Sequence, residues 1–152
     1  MNNLQSISLY FPEIILTILI IAVIIYDLLI DKSKSGNTGW LLSFGLLVVS
    51  FSIWKQGNIT TSLFTDAVVL DPFSSFFKQI IILATILVSI VSLYSDELTK
   101  YRKGEFFTLL GIITFGLFLM VSAVDLIILY ISIEIVSIMS FVLAGYLKEN
   151  IF

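Results

Sequence analysis

The sequence predicts an all-α fold, a polytopic transmembrane bundle of five helices in a single domain over residues 1–152. Three observations predict it. Apolar residues make up 59% of the chain and charged residues only 12%, against about 25% charged in a soluble domain. Mean hydropathy is +1.10. The apolar residues also gather into five long runs, and at a rise of 1.5 Å per residue a hydrocarbon core of about 30 Å needs about 20 of them.

The first run, Leu9 to Ile30, is long enough to cross a bilayer. The preceding MNNLQSIS has no Lys or Arg, and the run exceeds the apolar part of a secretory leader, so a retained anchor is expected. The second run, Gly39 to Trp54, is the shortest. Trp40 and Trp54 flank it as interfacial anchors, which favours a crossing over a re-entrant or surface helix. Gly36-Asn37 ahead of it is a turn signal. The third run, Phe73 to Tyr94, follows Asp71-Pro72, with Pro in the first turn where its missing N–H costs little. The fourth, Phe106 to Ala123, and the fifth, Leu126 to Leu147, are joined so tightly that they are expected to form an antiparallel pair. Ser122 and Asp125 have the spacing of a capping box before the fifth run.

Charge sets an expected orientation. Lys32 and Lys34 follow the first run, and Lys100, Arg102 and Lys103 follow the third. With five crossings these loops share one face, while the other carries Lys55 and the turn near Asp125. The basic face is expected to be cytoplasmic. The N-terminus is then outside and the tail with Lys148 inside.

Some chemistry is excluded. The chain has no Cys and no His, so thiolate or imidazole metal sites, His-held haem and disulfides are ruled out. The eight basic residues form no run or stripe, which speaks against nucleic-acid binding. No phosphate loop or dinucleotide fingerprint is present. Phe76-Phe77 and Phe106-Phe107 sit at segment ends, as aromatics do in any membrane protein, which argues against a quinone pocket.

Glu134 is the candidate catalytic residue. It stands alone near the middle of the fifth run, which has 13 Leu, Ile, Val and Phe residues. Those contribute roughly −4 to −8 kcal/mol to insertion, and a central charge costs about 2.5–3.5 kcal/mol. An intramembrane carboxylate usually marks an ion or proton path, so Glu134 is read as a protonatable relay facing the bundle interior. The competing reading is a protonated Glu that bonds a neighbouring helix. Tyr130 and Ser137 lie at i−4 and i+3 on the same stripe as candidate supporting groups. Lys78, early in the third run, is either a relay or a side chain that snorkels to the interface, with position favouring the second. Glu13 and Asp27, near opposite ends of the first run, are read as interfacial. Asp125 is read first as a cap and second as a relay, and Glu105 as an anion at a helix N-terminus.

An ordered set of residues carries a family resemblance. It comprises Phe11-Pro12-Glu13, Tyr26-Asp27-Leu28, Asp71-Pro72-Phe73, Phe76-Phe77-Lys78, Glu105-Phe106-Phe107, Ser122-Ala123-Val124-Asp125-Leu126, Tyr130, Glu134, Ser137 and Val142-Leu143-Ala144-Gly145-Tyr146. The set resembles the N-terminal part of the subunit N family of proton-pumping NADH–quinone oxidoreductase (respiratory complex I), one of the antiporter-like families. The resemblance implies a membrane-arm subunit that takes part in proton translocation coupled to quinone reduction, with Glu134 at the position of a proton-path carboxylate. It implies no redox centre and no cofactor in this chain, with NADH, FMN, iron–sulfur clusters and quinone used by other subunits. Partners would be other membrane subunits and the lipid bilayer. The location would be the bacterial cytoplasmic membrane, or alternatively a thylakoid or other energy-transducing membrane. Family members continue through further helices and inverted repeats, so the chain is expected to be truncated relative to them. The cationic partner of Glu134 would then lie on a helix not present here. The alternatives are a Na⁺/H⁺ antiporter or membrane hydrogenase subunit, and an assembly fragment with no transport of its own.

Overall fold

The computed structural model describes residues 3–30, 37–57, 59–95 and 103–146. Five helices in it are long and apolar enough to cross a membrane: α2 (Phe11–Leu29), α3 (Asn37–Gln56), α4 (Pro72–Leu93), α5 (Lys103–Ser122) and α6 (Leu126–Gly145). A short helix, α1 (Asn3–Leu9), precedes them, and a two-stranded hairpin, β1 (Thr61–Leu63) and β2 (Val68–Leu70), separates α3 from α4. The second run proves to be a 20-residue helix, longer at both ends than its apolar part. Lys32, Lys34, Gly36, Lys100, Arg102, Leu147 and Lys148 lie outside the described residues.

Each helix boundary has a local cause. Tyr10 leaves helical geometry at ψ 19° and Pro12 follows in the first turn of α2, so the chain bends between α1 and α2. Asp71 caps α4 in a reciprocal capping box: its carboxylate accepts from Ser74 N at 2.7 Å, and Asp71 N donates to Ser74 Oγ at 3.2 Å. Before α6 the expected Ser122–Asp125 box does not form. Asp125 itself is the N-cap and accepts from Ile127 N at 3.0 Å, while Ser122 is the buried last residue of α5. Ser122 is still helical in α5 and lies three residues ahead of the observed N-cap, so it does not cap α6.

α5 is the hub of the bundle. It packs against α2, α3 and α4, and α6 lies antiparallel along it, as the short connection requires. Leu16, Leu19, Ile20 and Val23 of α2 meet Leu42, Leu46, Val49 and Ile53 of α3, Ile82 of α4, and Phe106, Phe107, Leu110 and Phe118 of α5. Helical spacing of three and four sets each of these stripes on one face. α5 and α6 approach at Gly116, where an added Cβ would lie 2.8 Å from Val136.

The hairpin was not foreseen. It is antiparallel, with Thr61 opposite Leu70 and Leu63 opposite Val68. Its turn places Phe64, Thr65 and Asp66 at φ 52°, 59° and 67°. Such turns are signalled by Gly or Asn-Gly, and none is present. Tertiary contacts hold it instead. Ala67 O accepts from Val124 N at 3.1 Å and Asp125 N at 3.3 Å, Val68 bridges Ala123, and the Phe64 ring packs edge-on to Tyr10 at 5.4 Å. Gln56 Nε2 donates to Leu9 O at 2.6 Å at this same end.

Candidate functional site

Glu134 is the ninth residue of α6, near its middle, and is half-buried. The side of α6 that meets α5 carries Ser132, Ile135 and Val136: Ser132 is fully buried and bonds Ile128 O at 2.6 Å, and Ile135 and Val136 flank Gly116. At about 100° per residue, Glu134, Tyr130, Ser137 and Phe141 lie on roughly the opposite side of the helix. Tyr130 and Phe141 are 64% and 77% exposed. The Tyr130 hydroxyl lies near the Glu134 carboxylate, one turn away on the same helix. Glu134 therefore faces away from the described bundle, not into it as expected, because the rotation of α6 is set by Ile135 and Val136 packing onto Gly116 of α5. Its stripe is the open face of the outermost helix.

The ion pair among the described residues lies elsewhere. Lys78 Nζ donates to Glu13 Oε1 at 2.5 Å, with both side chains almost wholly buried. Lys78 does not snorkel to the interface and Glu13 is not interfacial. Both turn inward, joining the seventh residue of α4 to the third of α2. The face of the Phe118 ring lies 5.8 Å from Nζ, within cation–π range. Glu13 also sits in the first turn of its helix, where the dipole favours an anion. Its second oxygen, Oε2, is buried with no hydrogen-bond partner among the described residues, as is Ser122 Oγ. Next to this pair, outside the span, the Tyr10 phenol is held well above its ordinary value by burial and then by the negative charge of Glu13.

Asp27 is likewise buried rather than interfacial. Its carboxylate packs against Gly104, where α5 begins and a side chain would collide with it, in the field of that helix's N-terminus. Glu105 is exposed and accepts from the Tyr146 hydroxyl at 3.2 Å. Asp27, Glu105, Thr108 and Tyr146 are the polar groups of a groove of about 460 Å³ between α2, α5 and α6, which Glu134 does not line. Asp125 is exposed at its cap and touches neither carboxylate centre.

The structure thus separates the sequence candidates into two centres. Glu134 and Tyr130 form one, with Ser137 on the same stripe. Lys78 forms another with Glu13, a residue that sequence reasoning set aside. A signal for Glu13 existed: the stripe Pro12, Glu13, Leu16, Ile20, Val23, Asp27 runs at helical spacing and is the buried face of α2. No group of three or more acidic residues placed to hold a metal ion occurs among the described residues.

No family model matches the chain. Individual relatives do. It is 31% identical over 146 residues to NADH-quinone oxidoreductase subunit N of Trichlorobacter lovleyi, which covers 96% of this chain and 30% of that protein. It is 34% identical over 153 residues to the same subunit of an Anaeromyxobacter species, covering 98% of this chain and 29% of that one. It is 28% identical over 155 residues to F(420)H(2) dehydrogenase subunit N of Methanosarcina mazei, covering 97% and 31%. The chain spans about 30% of the length of these relatives. Along nearly all of its own residues, then, this five-helix chain resembles about a third of NADH-quinone oxidoreductase subunit N.

Proposed function

We propose that the chain works in the membrane arm of a proton-translocating NADH–quinone oxidoreductase, and that Glu134 binds and releases protons there. The observation that carries the reading is a lone carboxylate, with a phenol one turn away, at mid-height of a span whose remaining residues are nearly all apolar. Such a group is costly in hydrocarbon and is kept where its charge is used. Its stripe faces away from the five helices, so the groups that exchange protons with it belong to neighbouring helices, from the rest of the subunit or from adjacent membrane subunits. Relatives named for an NADH-quinone and for an F(420)H(2) enzyme match over the same length. That supports a membrane unit common to both, with the electron donor handled by other subunits.

By resemblance to the relatives, flavin, iron–sulfur clusters and quinone are assigned to those other subunits, and this chain has no Cys or His to ligate a cluster. The basic loops are assigned to the cytoplasm, which sets the hairpin end outside, and the membrane is the cytoplasmic membrane of a bacterium. The test is Glu134→Gln in the intact complex. The expected result is normal assembly with a loss of protons translocated per electron. Wild-type translocation in an assembled variant would overturn the assignment.

A further inference from the structure

We propose that Glu13 and Lys78 form a second proton-binding centre, at the hairpin end of a hydroxyl-lined seam along α4 and separate from Glu134. The proposal rests on the reading above, that the chain works in a proton-translocating complex.

The buried side of α4 is polar. It consists of Ser74, Lys78, Ile82, Thr85, Ser89 and Ser92, with Ile82 the one apolar member. The apolar residues Phe76, Ile80, Leu83, Leu87 and Val91 are exposed, on the opposite side of the helix. The seam is tied across the bundle by Thr85 Oγ1 to Thr114 Oγ1 at 3.0 Å and by Ser43 Oγ to Ser89 Oγ at 3.1 Å. Hydroxyls of this kind hold helices together in lipid. A buried ion pair is not needed for that, because apolar residues of similar volume hold helices as well or better. The pair also leaves one oxygen over: Glu13 Oε2 is enclosed and has no hydrogen-bond partner among the described residues, whereas buried polar atoms are ordinarily hydrogen-bonded and an exception calls for an explanation. Ser122 Oγ, a second unpartnered buried acceptor, lies one turn beyond Phe118 on the same face of α5, and the Phe118 ring contacts Lys78.

The chemistry is proton transfer alone. An Nζ–H bond of Lys78 breaks and an O–H bond forms on Glu13, so the charged pair becomes a neutral amine and a carboxylic acid. Glu13 gives that proton to water at the hairpin end. The Lys78 amine takes one back from water entering along the seam. One proton enters, one leaves, and no electron moves. Ile82 stands between Thr85 and Lys78 and is the dry step of the seam.

The experiment uses the assembled complex in its membrane. Lys78→Arg keeps the positive charge and the bond to Glu13, but a guanidinium does not give up its proton. The expected result is assembly at wild-type level with a loss of proton yield per electron. A deuterium-sensitive carboxylic-acid band should also be present in wild-type infrared difference spectra during turnover, survive Glu134→Gln, and vanish in Glu13→Gln. Wild-type proton yield in an assembled Lys78→Arg complex would overturn the proposal. So would the absence, in otherwise unaltered protein, of any carboxylic-acid band beyond the one that Glu134→Gln removes, a measurement that holds even if the Lys78 and Glu13 variants fail to assemble. Loss of pumping in Glu134→Gln alone rejects this centre and leaves the family reading standing. Intact pumping in Glu134→Gln rejects the reading on which it rests.

Discussion

Lys78 Nζ lies 2.5 Å from Glu13 Oε1, and this bond fastens α4 to α2 across 65 residues of sequence inside the bundle. Neither charge reaches solvent, so each depends on the other. Removing one partner of a buried pair leaves an uncompensated charge and costs about 3–5 kcal/mol. Glu13→Ala and Lys78→Ala should each lower the thermal midpoint of the detergent-solubilised protein sharply. The double change Glu13→Gln with Lys78→Met should recover most of the loss. Single variants as stable as wild type would show that the pair is not a determinant of the fold.

Glu134 should behave in the opposite way. It is half-buried on the open side of α6, and its contact is with Tyr130 on its own helix. Glu134→Gln is expected to change stability by no more than about 0.5 kcal/mol, the range of surface substitutions. Thermal unfolding of the isolated chain checks this. A large destabilisation would make the carboxylate a packing element.

Gly104 and Gly145 offer a paired test of packing. A methyl group at Gly104 collides with the Asp27 carboxylate, whereas Gly145 has open space around it. Gly104→Ala should destabilise by about 1–3 kcal/mol, as overpacking does. Gly145→Ala, in the last turn of α6, should be neutral or stabilising by up to about 1 kcal/mol. Equal responses of the two in a thermal-shift measurement would contradict the tight seat of Asp27.

The hairpin turn carries Thr65 at φ 59°. A β-branched residue there is strained, and glycine is not. Thr65→Gly should raise stability by about 1 kcal/mol, within the cost range for such backbone strain, while Thr65→Ala should give little. A lower midpoint for the glycine variant would show that the threonine side chain holds the turn.

Tyr10 predicts an alkaline limit. Its phenol is held above its ordinary value of 10.0, by burial first and by the charge of Glu13 second. The folded chain therefore keeps a proton that the unfolded chain gives up. The associated stability is fully present below pH 10.0 and falls as pH rises past that point, by at most about 1.4 kcal/mol per unit. Denaturant titrations at rising pH should show the slope in wild type and a shallower one in Tyr10→Phe. Identical slopes would place Tyr10 in water.

The five helices were legible because span length and hydropathy are local properties. Even α3, whose apolar part is short, revealed itself through Trp40 and Trp54. The height of Glu134 in its helix was legible for the same reason. Its facing was not, since rotation of α6 follows from Gly116 receiving Ile135 and Val136, a contact between helices. Glu13 and Lys78 each stand near a helix start, where a charge reads alike whether it meets headgroups or another helix. Only the fold brings them together. The hairpin was invisible because its turn has no Gly and its bonds run to Val124 and Asp125, far along the chain.

The Ala67 carbonyl, shared by Val124 N and Asp125 N, has a mechanical consequence. It moors the helix that bears Glu134 to a strand pair that leads directly into the helix bearing Lys78. If α6 tilts about this end, it must either break two backbone hydrogen bonds or drag β2, and with it the start of α4. The two carboxylate centres share no side-chain contact, yet they hang from one knot of backbone.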